Sequence, residues 1–317
     1  MKAKKVAIIG SGPCGLAVAN KLISNGFKVT VFDELKEFGG MLAYGIPEFR
    51  IPLKSVKDRI NCAKKSGVIF KKKKIESVKK LLHSSNFDIV VIAIGAGTGT
   101  KSGFINENSK YVIDGLDFLL KDKLNNKKMV GKGQVVGVIG GGNSAIDTAR
   151  VVQKQGAKAT IIYRRTENEM PALKSEIDCA KKDLVGFEFL LAPKELVFLK
   201  KENSAKIIKI QNKCKLICSV MKLGEVDLSG RRKPIESSEV KEFIFDKVIV
   251  AVGQQNKFEW LEKEGVKTNG KTILVDEKYQ TSLKNVYACG DVVTGAKTIG
   301  EAVLTGTKCA ESIISIS

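Results

Sequence analysis

The sequence has few of the residues that metal and disulfide chemistry require. One histidine and seven cysteines occur in 317 residues, and no two cysteines have the C-x-x-C spacing. An odd number of irregularly spaced cysteines is typical of reduced thiols rather than of a disulfide framework. The missing C-x-x-C argues against a redox-active dithiol and against a four-cysteine iron–sulfur or zinc site. We therefore predict no metal site and a cytoplasmic protein.

Proline and long apolar runs are also scarce. Six prolines stand against thirty glycines, which indicates tight backbone turns rather than a Pro-rich linker. No stretch reaches the ~18 consecutive apolar residues that a membrane-spanning helix needs. The basic, then apolar, amino terminus imitates a signal peptide, but it contains a glycine pattern that we assign to a binding loop. The length of 317 residues predicts two domains.

Acidic residues are outnumbered, with 34 Asp and Glu against 54 Lys and Arg, which gives a net charge of +20. The lysines are spread along the chain, and only Lys71 to Lys74 form a block. This distribution favours a general lysine bias over a nucleic-acid surface, and no nucleic-acid motif or membrane span is present. An acidic electron-transfer partner is the alternative explanation.

The first glycine pattern is GSGPCG at residues 10–15, which fits G-x-G-x-x-G. It follows an apolar strand at 6–9 and precedes helix formers at 15–22, as in a dinucleotide-binding unit. The glycines permit a tight turn and a close approach to a pyrophosphate, which the helix amino terminus attracts. Asp33 ends the next strand, 28–32, where a carboxylate accepts hydrogen bonds from a ribose. We predict a bound dinucleotide here.

A second pattern, GGGNSA at residues 140–145, lies between a strand at 135–139 and a helix at 144–155. After the following strand, 158–163, the ribose position carries Arg164 and Arg165 instead of an acid. Two guanidinium groups suit a 2′-phosphate, and only seven of the 54 basic residues are arginine. The pattern therefore favours NADPH over NADH.

Each half of the chain also repeats a second landmark. Phe-Asp at 87–88 precedes IVVIAIGAG, and Phe-Asp at 245–246 precedes KVIVAVGQQ. We interpret each half as its own nucleotide-binding unit whose late strand ends at a glycine, Gly95 or Gly253. Residues 186–245 read as short strands inserted in the second unit, at Phe187–Leu191, Lys206–Gln211 and Leu216–Lys222.

The carboxyl-terminal segment NVYACGDV at 285–292 reads as a strand that ends in Gly290 and Asp291, with a helix over 298–312. Such an aspartate accepts hydrogen bonds from the ribityl hydroxyls of FAD, and the helix amino terminus stabilises negative charge on the reduced flavin. The alternative is an aspartate that merely caps a turn.

With these pieces placed, the chain resembles the small subunit of glutamate synthase and its relatives, which include NADPH-linked ferredoxin oxidoreductases and the flavin and NADPH modules of dihydropyrimidine dehydrogenase. The likeness rests on GSGPCGLAVA (10–19), FGGMLAYGIPEFRIP (38–52), the stretch 139–172, MKLGEVDLSGRRKPI (221–235) and NVYACGDVVTGAKTIGEAV (285–303). It implies an α/β fold of two Rossmann-like dinucleotide-binding domains, the two-dinucleotide-binding flavoprotein type.

The resemblance further implies that an NADPH domain, residues 105–275, is inserted in a discontinuous FAD domain, residues 1–104 and 276–317. It puts the Gly39-Gly40-Met41 segment and the Gly45-Ile46 turn against the flavin, and Asn143, Arg164 and Arg165 on the NADPH side. The residues that the patterns and the resemblance together assign to cofactor binding are Gly10, Gly12, Pro13, Gly15, Asp33, Glu34, Gly39, Gly40, Met41, Gly45, Ile46, Gly95, Gly140, Gly142, Asn143, Ser144, Arg164, Arg165, Gly253, Gly290, Asp291, Thr298, Ile299 and Ala302.

Hydride transfer between a nicotinamide and a flavin requires no protein acid or base, so we predict no catalytic side chain. The leading hypothesis is the electron-input subunit of glutamate synthase, and the second is a self-contained NADPH:ferredoxin or NADPH:acceptor oxidoreductase. A non-catalytic flavin-binding regulator is the third. Members of the family commonly carry a cysteine-rich iron–sulfur domain, and this sequence opens on the strand before the first glycine pattern. We therefore expect either that a separate iron–sulfur protein, ferredoxin or glutamate synthase large subunit accepts the electrons, or that the flavin meets its acceptor directly.

Overall fold

The computed structural model describes residues 3–83, 87–125, 128–199, 213–227 and 230–316. The chain divides into two compact units, one of residues 1–98 and 254–317 and the other of residues 99–253. The second boundary differs from the predicted one at 275. Phe258, Leu261 and Ile273 are buried in the first unit's core, so the return to that unit occurs about twenty residues earlier than the pattern suggested.

The elements of the chain up to residue 98 are β1 (Lys5–Ile9), α1 (Pro13–Ile23), β2 (Lys28–Asp33), α2 (Met41–Tyr44), α3 (Leu53–Lys65), β3 (Ile69–Lys72), α4 (Val78–His83) and β4 (Ile89–Ile92). The middle part contains β5 (Thr98–Gly99), β6 (Val112–Asp114), α5 (Gly115–Asn125), β7 (Val135–Ile139), α6 (Asn143–Lys154), β8 (Lys158–Tyr163), α7 (Lys174–Lys182), β9 (Gly186–Phe189), β10 (Leu191–Phe198), β11 (Cys214–Val226), β12 (Arg232–Phe245) and β13 (Lys247–Val250). The last part contains β14 (Gln254–Gln255), α8 (Glu259–Glu262), β15 (Val286–Ala288), α9 (Asp291–Thr294) and α10 (Ile299–Ser315).

The first unit is built on a parallel sheet of order β15-β4-β1-β2-β3. Its central strands are continuous apolar runs because both faces are covered. Val6 and Ile8 of β1 face a core shared with α1 and α10, whereas Ala7 and Ile9 face the opposite core that contains α4 and α8. The glycine loop therefore leaves the middle of a sheet that is packed on both sides.

The second unit repeats this plan with a parallel sheet of order β6-β13-β7-β8-β9. A separate antiparallel sheet, β10-β11-β12, corresponds to the predicted inserted strands. The strand predicted over Phe187–Leu191 is split between the two sheets, because Leu190 has a φ of 57° and turns the chain between β9 and β10. The strand predicted over Lys206–Gln211 lies outside the described residues.

The elements nearest the glycine patterns agree with the sequence. The strands expected at 135–139 and 158–163 are β7 and β8, and the helix expected after Asp291 is α10, which begins at Ile299. In the described part of the chain, no helix combines the length and the apolar character needed to cross a bilayer.

Candidate functional site

The first glycine loop joins β1 to α1 and leaves no room for side chains. A Cβ on Gly10, whose φ is 106°, would lie 2.2 Å from the Ala93 carbonyl oxygen, and one on Gly15 would lie 2.0 Å from the Gly10 carbonyl oxygen. α1 begins at Pro13 with Gly12 as its N-cap, and no side chain caps it. The N–H groups of this first turn thus remain available to an anion such as a pyrophosphate.

A second glycine turn lies against this loop. A Cβ on Gly40, at a φ of 54°, would lie 2.7 Å from the Gly12 Cα, and one on Gly39 would lie 2.5 Å from a methyl of Val56. α2 follows at once, and both Gly45 and Ile46 donate their backbone N–H groups to the Met41 carbonyl. The segment predicted to lie against the flavin is therefore held beside the first glycine loop.

Asp33 organises both turns. Its Oδ2 accepts hydrogen bonds from the backbone N–H of Ser11 at 2.8 Å and from the Ser11 hydroxyl, and that hydroxyl accepts one from the Gly39 N–H at 2.9 Å. Its Oδ1 accepts the N–H of Leu35 at 3.0 Å. A carboxylate has about four acceptor sites, so Asp33 retains capacity for one further donor, and its role at a ribose stays a prediction. The neighbouring Glu34 is exposed, 4.0 Å from the Lys74 ammonium.

Asp291 lies where β15 ends, one residue after Gly290, whose φ of 79° redirects the chain. Burial raises the pKa of Asp291 to about 6. Its Oδ1 is buried with no hydrogen-bond partner among the described residues. A buried carboxylate oxygen without a partner fits a hydroxyl donor such as the ribityl chain of FAD. An aspartate that merely capped a turn would not leave a buried oxygen without a partner.

The amino terminus of α10 follows Asp291 by eight residues in the sequence. Thr298 is its N-cap, with a reciprocal capping box to Glu301, and Ala302 donates its N–H to the Thr298 carbonyl. In the described structure, the N–H groups of Ile299 and Gly300 have no partner and carry the positive end of the helix dipole.

Gly95, after β4, has a φ of 74°, and its carbonyl accepts a hydrogen bond from Asn256.

Three thiols lie behind the first glycine loop. The Cys14 and Cys289 sulfurs are 3.3 Å apart, although the residues are 275 positions apart in sequence. Hydrogen bonds with Cys14 and Cys309, together with burial, raise the pKa of Cys289 well above its usual range. All seven cysteines are free. The burial of all three thiols, together with the raised pKa of Cys289, makes them poor nucleophiles, so we assign them to packing.

The second glycine loop repeats the construction in the other unit. A Cβ on Gly140 would lie 2.2 Å from the Ala251 carbonyl oxygen, and one on Gly141 would lie 2.4 Å from the Tyr163 ring. Gly142 is the N-cap of α6 and has no capping side chain. Ala145 takes the place of the third glycine and is fully buried. The loop again offers uncapped N–H groups to a phosphate.

The remaining predicted residues of this loop have distinct surroundings. Asn143 accepts a hydrogen bond from the Leu173 N–H at 3.0 Å, which holds the segment after β8 near the loop. Ser144 is exposed in the first turn of α6. Gly253, beyond β13, has a φ of 131° and open space where its Cβ would be.

Arg164 and Arg165, at the end of β8, differ sharply in environment. Arg164 is exposed, whereas the Arg165 side chain is 5% exposed and donates to Asp227 Oδ2 at 2.6 Å and to the Arg232 carbonyl at 2.6 Å. This differs from the prediction that both arginines read a phosphate. The reason is that the β11–β12 hairpin supplies partners for Arg165, which leaves Arg164 as the open guanidinium.

Three residues that position the sites were missed in the sequence. Ser11 links Asp33 to Gly39, Asp227 holds Arg165, and Asn256 holds Gly95. Ser11 occupies a variable position of the pattern, and the other two act on residues 62 and 161 positions away, so no local signal marked them. The described residues contain no group of His, Cys, Asp or Glu suited to a metal ion.

Two glycine loops at the carboxyl ends of two parallel sheets define a protein with two dinucleotide-binding folds. The family of pyridine nucleotide-disulphide oxidoreductases matches residues 4–185 and 200–306. The chain belongs to this family, in the group that includes the glutamate synthase small chain. The predicted family, fold and class of enzyme, an oxidoreductase that uses a pyridine nucleotide, are thereby confirmed.

Individual relatives have different names. The NADP(+)-dependent formate dehydrogenase subunit beta of Moorella thermoacetica is 38% identical over 98% of this chain and 43% of its own length. The glutamate synthase [NADPH] small chain of Escherichia coli is 33% identical over 98% of this chain and 68% of its own. The chain thus spans about half the length of the curated relatives it matches.

A solved structure supports the fold. FprA of Mycobacterium tuberculosis in complex with NADPH superimposes with a TM-score of 0.78 over 99% of this chain and 84% of that one, at 17% identity. At this identity the similarity concerns the fold alone.

Proposed function

We propose that the chain is an electron-input flavoprotein that binds FAD in its first unit and NADPH in its second. FAD held in the first unit would supply an acceptor for the nicotinamide hydride and a donor of one or two electrons to the next carrier. The observation that carries the proposal is the contrast between the two loops. The first is followed by a buried carboxylate, Asp33, and the second by an exposed guanidinium, Arg164.

In the first unit, the proposed role of the residues is to bind and orient FAD. The uncapped turn at Gly12 and Pro13 receives the pyrophosphate, and Asp33 receives the ribose. Asp291 would accept a hydrogen bond from a ribityl hydroxyl, and the amino terminus of α10 would stabilise negative charge on the reduced flavin. Gly39 and Gly40 let the chain approach the ring without side chains.

In the second unit, the proposed role is to bind and select the pyridine nucleotide. The Gly140–Gly142 loop and the start of α6 receive its pyrophosphate. Arg164 contacts the 2′-phosphate of NADPH, and Arg165 fixes the backbone from which Arg164 projects. Because the transfer is a direct hydride step, no side chain is assigned as an acid or base.

The finer proposal is a role as the small chain of a glutamate synthase, with an iron–sulfur protein or a large subunit as the electron acceptor. Its support is the resemblance over nearly the whole chain. The formate dehydrogenase beta subunit, which is similar at higher identity, favours the broader alternative that the chain serves another multi-subunit or ferredoxin-linked oxidoreductase. Both roles share the same reaction within this chain, and a cytoplasmic location suits both.

Anaerobic stopped-flow spectroscopy of the purified flavoprotein tests the proposal. NADPH should bleach the flavin absorbance rapidly, and NADH should do so only at much higher concentration. Isolation without flavin, or stable flavin that NADPH fails to bleach, would contradict the proposal and favour the regulator alternative. Equal efficiency of the two nucleotides would retain the flavoprotein assignment and remove the role of Arg164.

A further inference from the structure

One edge of the first unit carries much of the chain's charge. Residues 53–74, which include α3 and β3, contain nine Lys or Arg residues and one acidic residue, Asp58. These 22 residues therefore contribute +8 of the chain's +20. All nine basic side chains are exposed. We call this surface the basic edge; its members are Lys54, Lys57, Arg59, Lys64, Lys65, Lys71, Lys72, Lys73 and Lys74.

The basic edge is scarcely neutralised. Within the described part of the chain, its only ion pair joins Lys74 to Glu34, at 4.0 Å. Elsewhere, exposed Lys181 and the half-buried Lys121 and Lys215 each have a carboxylate partner within 3.0 Å. The positive potential of the basic edge is thus left open to solvent.

Folding accounts for only part of this charge. Lysines on the edge strand β3 deter pairing with other chains, and Lys64 and Lys65 suit the negative end of the α3 dipole. Lys54 and Lys57, however, lie in the first half of α3, where the dipole disfavours cations and the first turn has no acidic residue. They are also three residues apart on one helix face and repel each other. Asp58, four residues after Lys54, and Glu48, which accepts the Leu53 N–H, offset part of this repulsion, but neither the strand edge nor the helix dipole accounts for these two cations.

The basic edge adjoins the turn that is assigned to the flavin. The Lys64 ammonium lies 5.8 Å from the Phe38 ring centroid and 5.9 Å from that of Phe70 in β3. The two rings pack at 5.1 Å, and Gly39 follows Phe38 directly. Val56 of α3 packs beneath Gly39. An object docked on this surface would therefore lie next to the segment proposed to hold the flavin.

We propose that the basic edge is the docking surface for an acidic protein that accepts electrons from the flavin. The inference rests on the proposed function, because electron transfer is what requires a partner close to the flavin turn. Complementary charge accelerates the encounter of such partners, and the effect falls as salt screens it.

The experiment compares two charge-reversal variants of the holoenzyme. The first carries Lys54→Glu, Lys57→Glu and Arg59→Glu on the basic edge. The matched control carries Lys263→Glu, Lys271→Glu and Lys278→Glu, which alter the net charge equally at exposed positions of the same unit that have no ion pair with any described residue. An acidic two-iron ferredoxin is the protein acceptor, and menadione is the uncharged acceptor. Each reaction is started with NADPH at low salt and at about 150 mM salt.

At low salt, the basic-edge variant should reduce the ferredoxin at least about tenfold more slowly than the parent, while menadione reduction stays unchanged. The control variant should lose much less. A titration of ferredoxin into each protein, without NADPH, should show the same order of affinities and a weaker salt dependence for the basic-edge variant.

Equal ferredoxin rates and affinities in the two variants would overturn the docking proposal. Binding of single-stranded DNA or phosphatidylglycerol vesicles by the parent, with no binding of ferredoxin, would overturn it in favour of a polyanion or a membrane. Loss of flavin bleaching by NADPH in the parent would instead refute the proposed function. The titration without NADPH separates these two failures, because it needs no turnover.

Discussion

Replacing Arg164 by alanine should weaken the binding of NADPH and leave the binding of NADH unchanged. A hydrogen bond to a charged group contributes about 1.5–3 kcal/mol, so the Kd for NADPH should rise about 10- to 150-fold. NADH has no 2′-phosphate, and its Kd should not change. Because Arg164 is exposed and has no ion pair among the described residues, the free energy of unfolding should stay within about 0.5 kcal/mol of the parent.

Arg165→Ala provides the matched comparison. Its guanidinium is 5% exposed, and its partner Asp227 is 28% exposed. Breaking a fully buried pair costs about 3–5 kcal/mol, and partial exposure of Asp227 reduces the expected loss to about 2–4 kcal/mol. Affinity for both nucleotides should fall together, because the end of β8 loses its attachment to the β11–β12 hairpin.

Isothermal titration with each nucleotide and urea denaturation measure both effects. The reasoning is refuted if Arg164→Ala weakens NADPH and NADH equally, or if Arg165→Ala alters discrimination without a loss of stability. The first outcome would mean that Arg164 does not contact the 2′-phosphate, and the second would mean that Arg165 does.

Three further predictions concern packing and titration. Burial raises the pKa of Asp291 from 3.8 to about 6, so its contribution to the free energy of unfolding is present below about pH 4 and is lost as pH rises through about 6. Asp291→Asn should abolish this pH dependence, measured by urea denaturation of the deflavinated protein. An unchanged pH profile of the unfolding free energy in the variant would contradict the prediction. A Cβ on Gly306 would lie 2.6 Å from a carbonyl oxygen of α1, so Gly306→Ala should lower the free energy of unfolding by about 1–3 kcal/mol. Gly300→Ala, which meets only one atom at 3.9 Å, should not, and equal losses would refute the steric argument. Iodoacetamide should modify exposed Cys62 in the native protein but reach Cys218, whose pKa burial raises to about 12, only after unfolding; early modification of Cys218 would count against its burial.

Local patterns made the cores of both units predictable. The apolar runs at β1, β7 and β8 are buried on both faces, and their glycine loops follow directly, so strand, turn and helix are all specified within about thirty residues. The unit boundary was missed because α8 is only four residues long, and its buried Leu261 gives no periodic signal. Leu190 also gave no local signal, because it is not a glycine and yet adopts a left-handed backbone conformation between two strands.

Long-range pairing accounts for the remaining differences. Arg165 looked equivalent to Arg164 because Asp227 lies 62 residues away, on a hairpin whose register cannot be read from β8. Cys14 and Cys289 show the same effect, since spacing alone indicated no thiol pair and the fold brings the sulfurs to 3.3 Å. A sequence pattern identifies which contacts a side chain can make, and only the tertiary structure shows whether another residue of the fold already makes them.

The two sheets share one strand arrangement, but the first takes its outer strand from the end of its own unit's sequence and the second from the beginning of its own. In the first unit β15 and the helix α10 come last, whereas in the second β6 and the helix α5 come first, and α10 packs on α1 as α5 packs on α6. The chain orders of the two units are therefore circular permutations of one sheet arrangement. The sheet requires this strand–helix pair at a fixed position in space, and the pair can be synthesised either first or last within its unit.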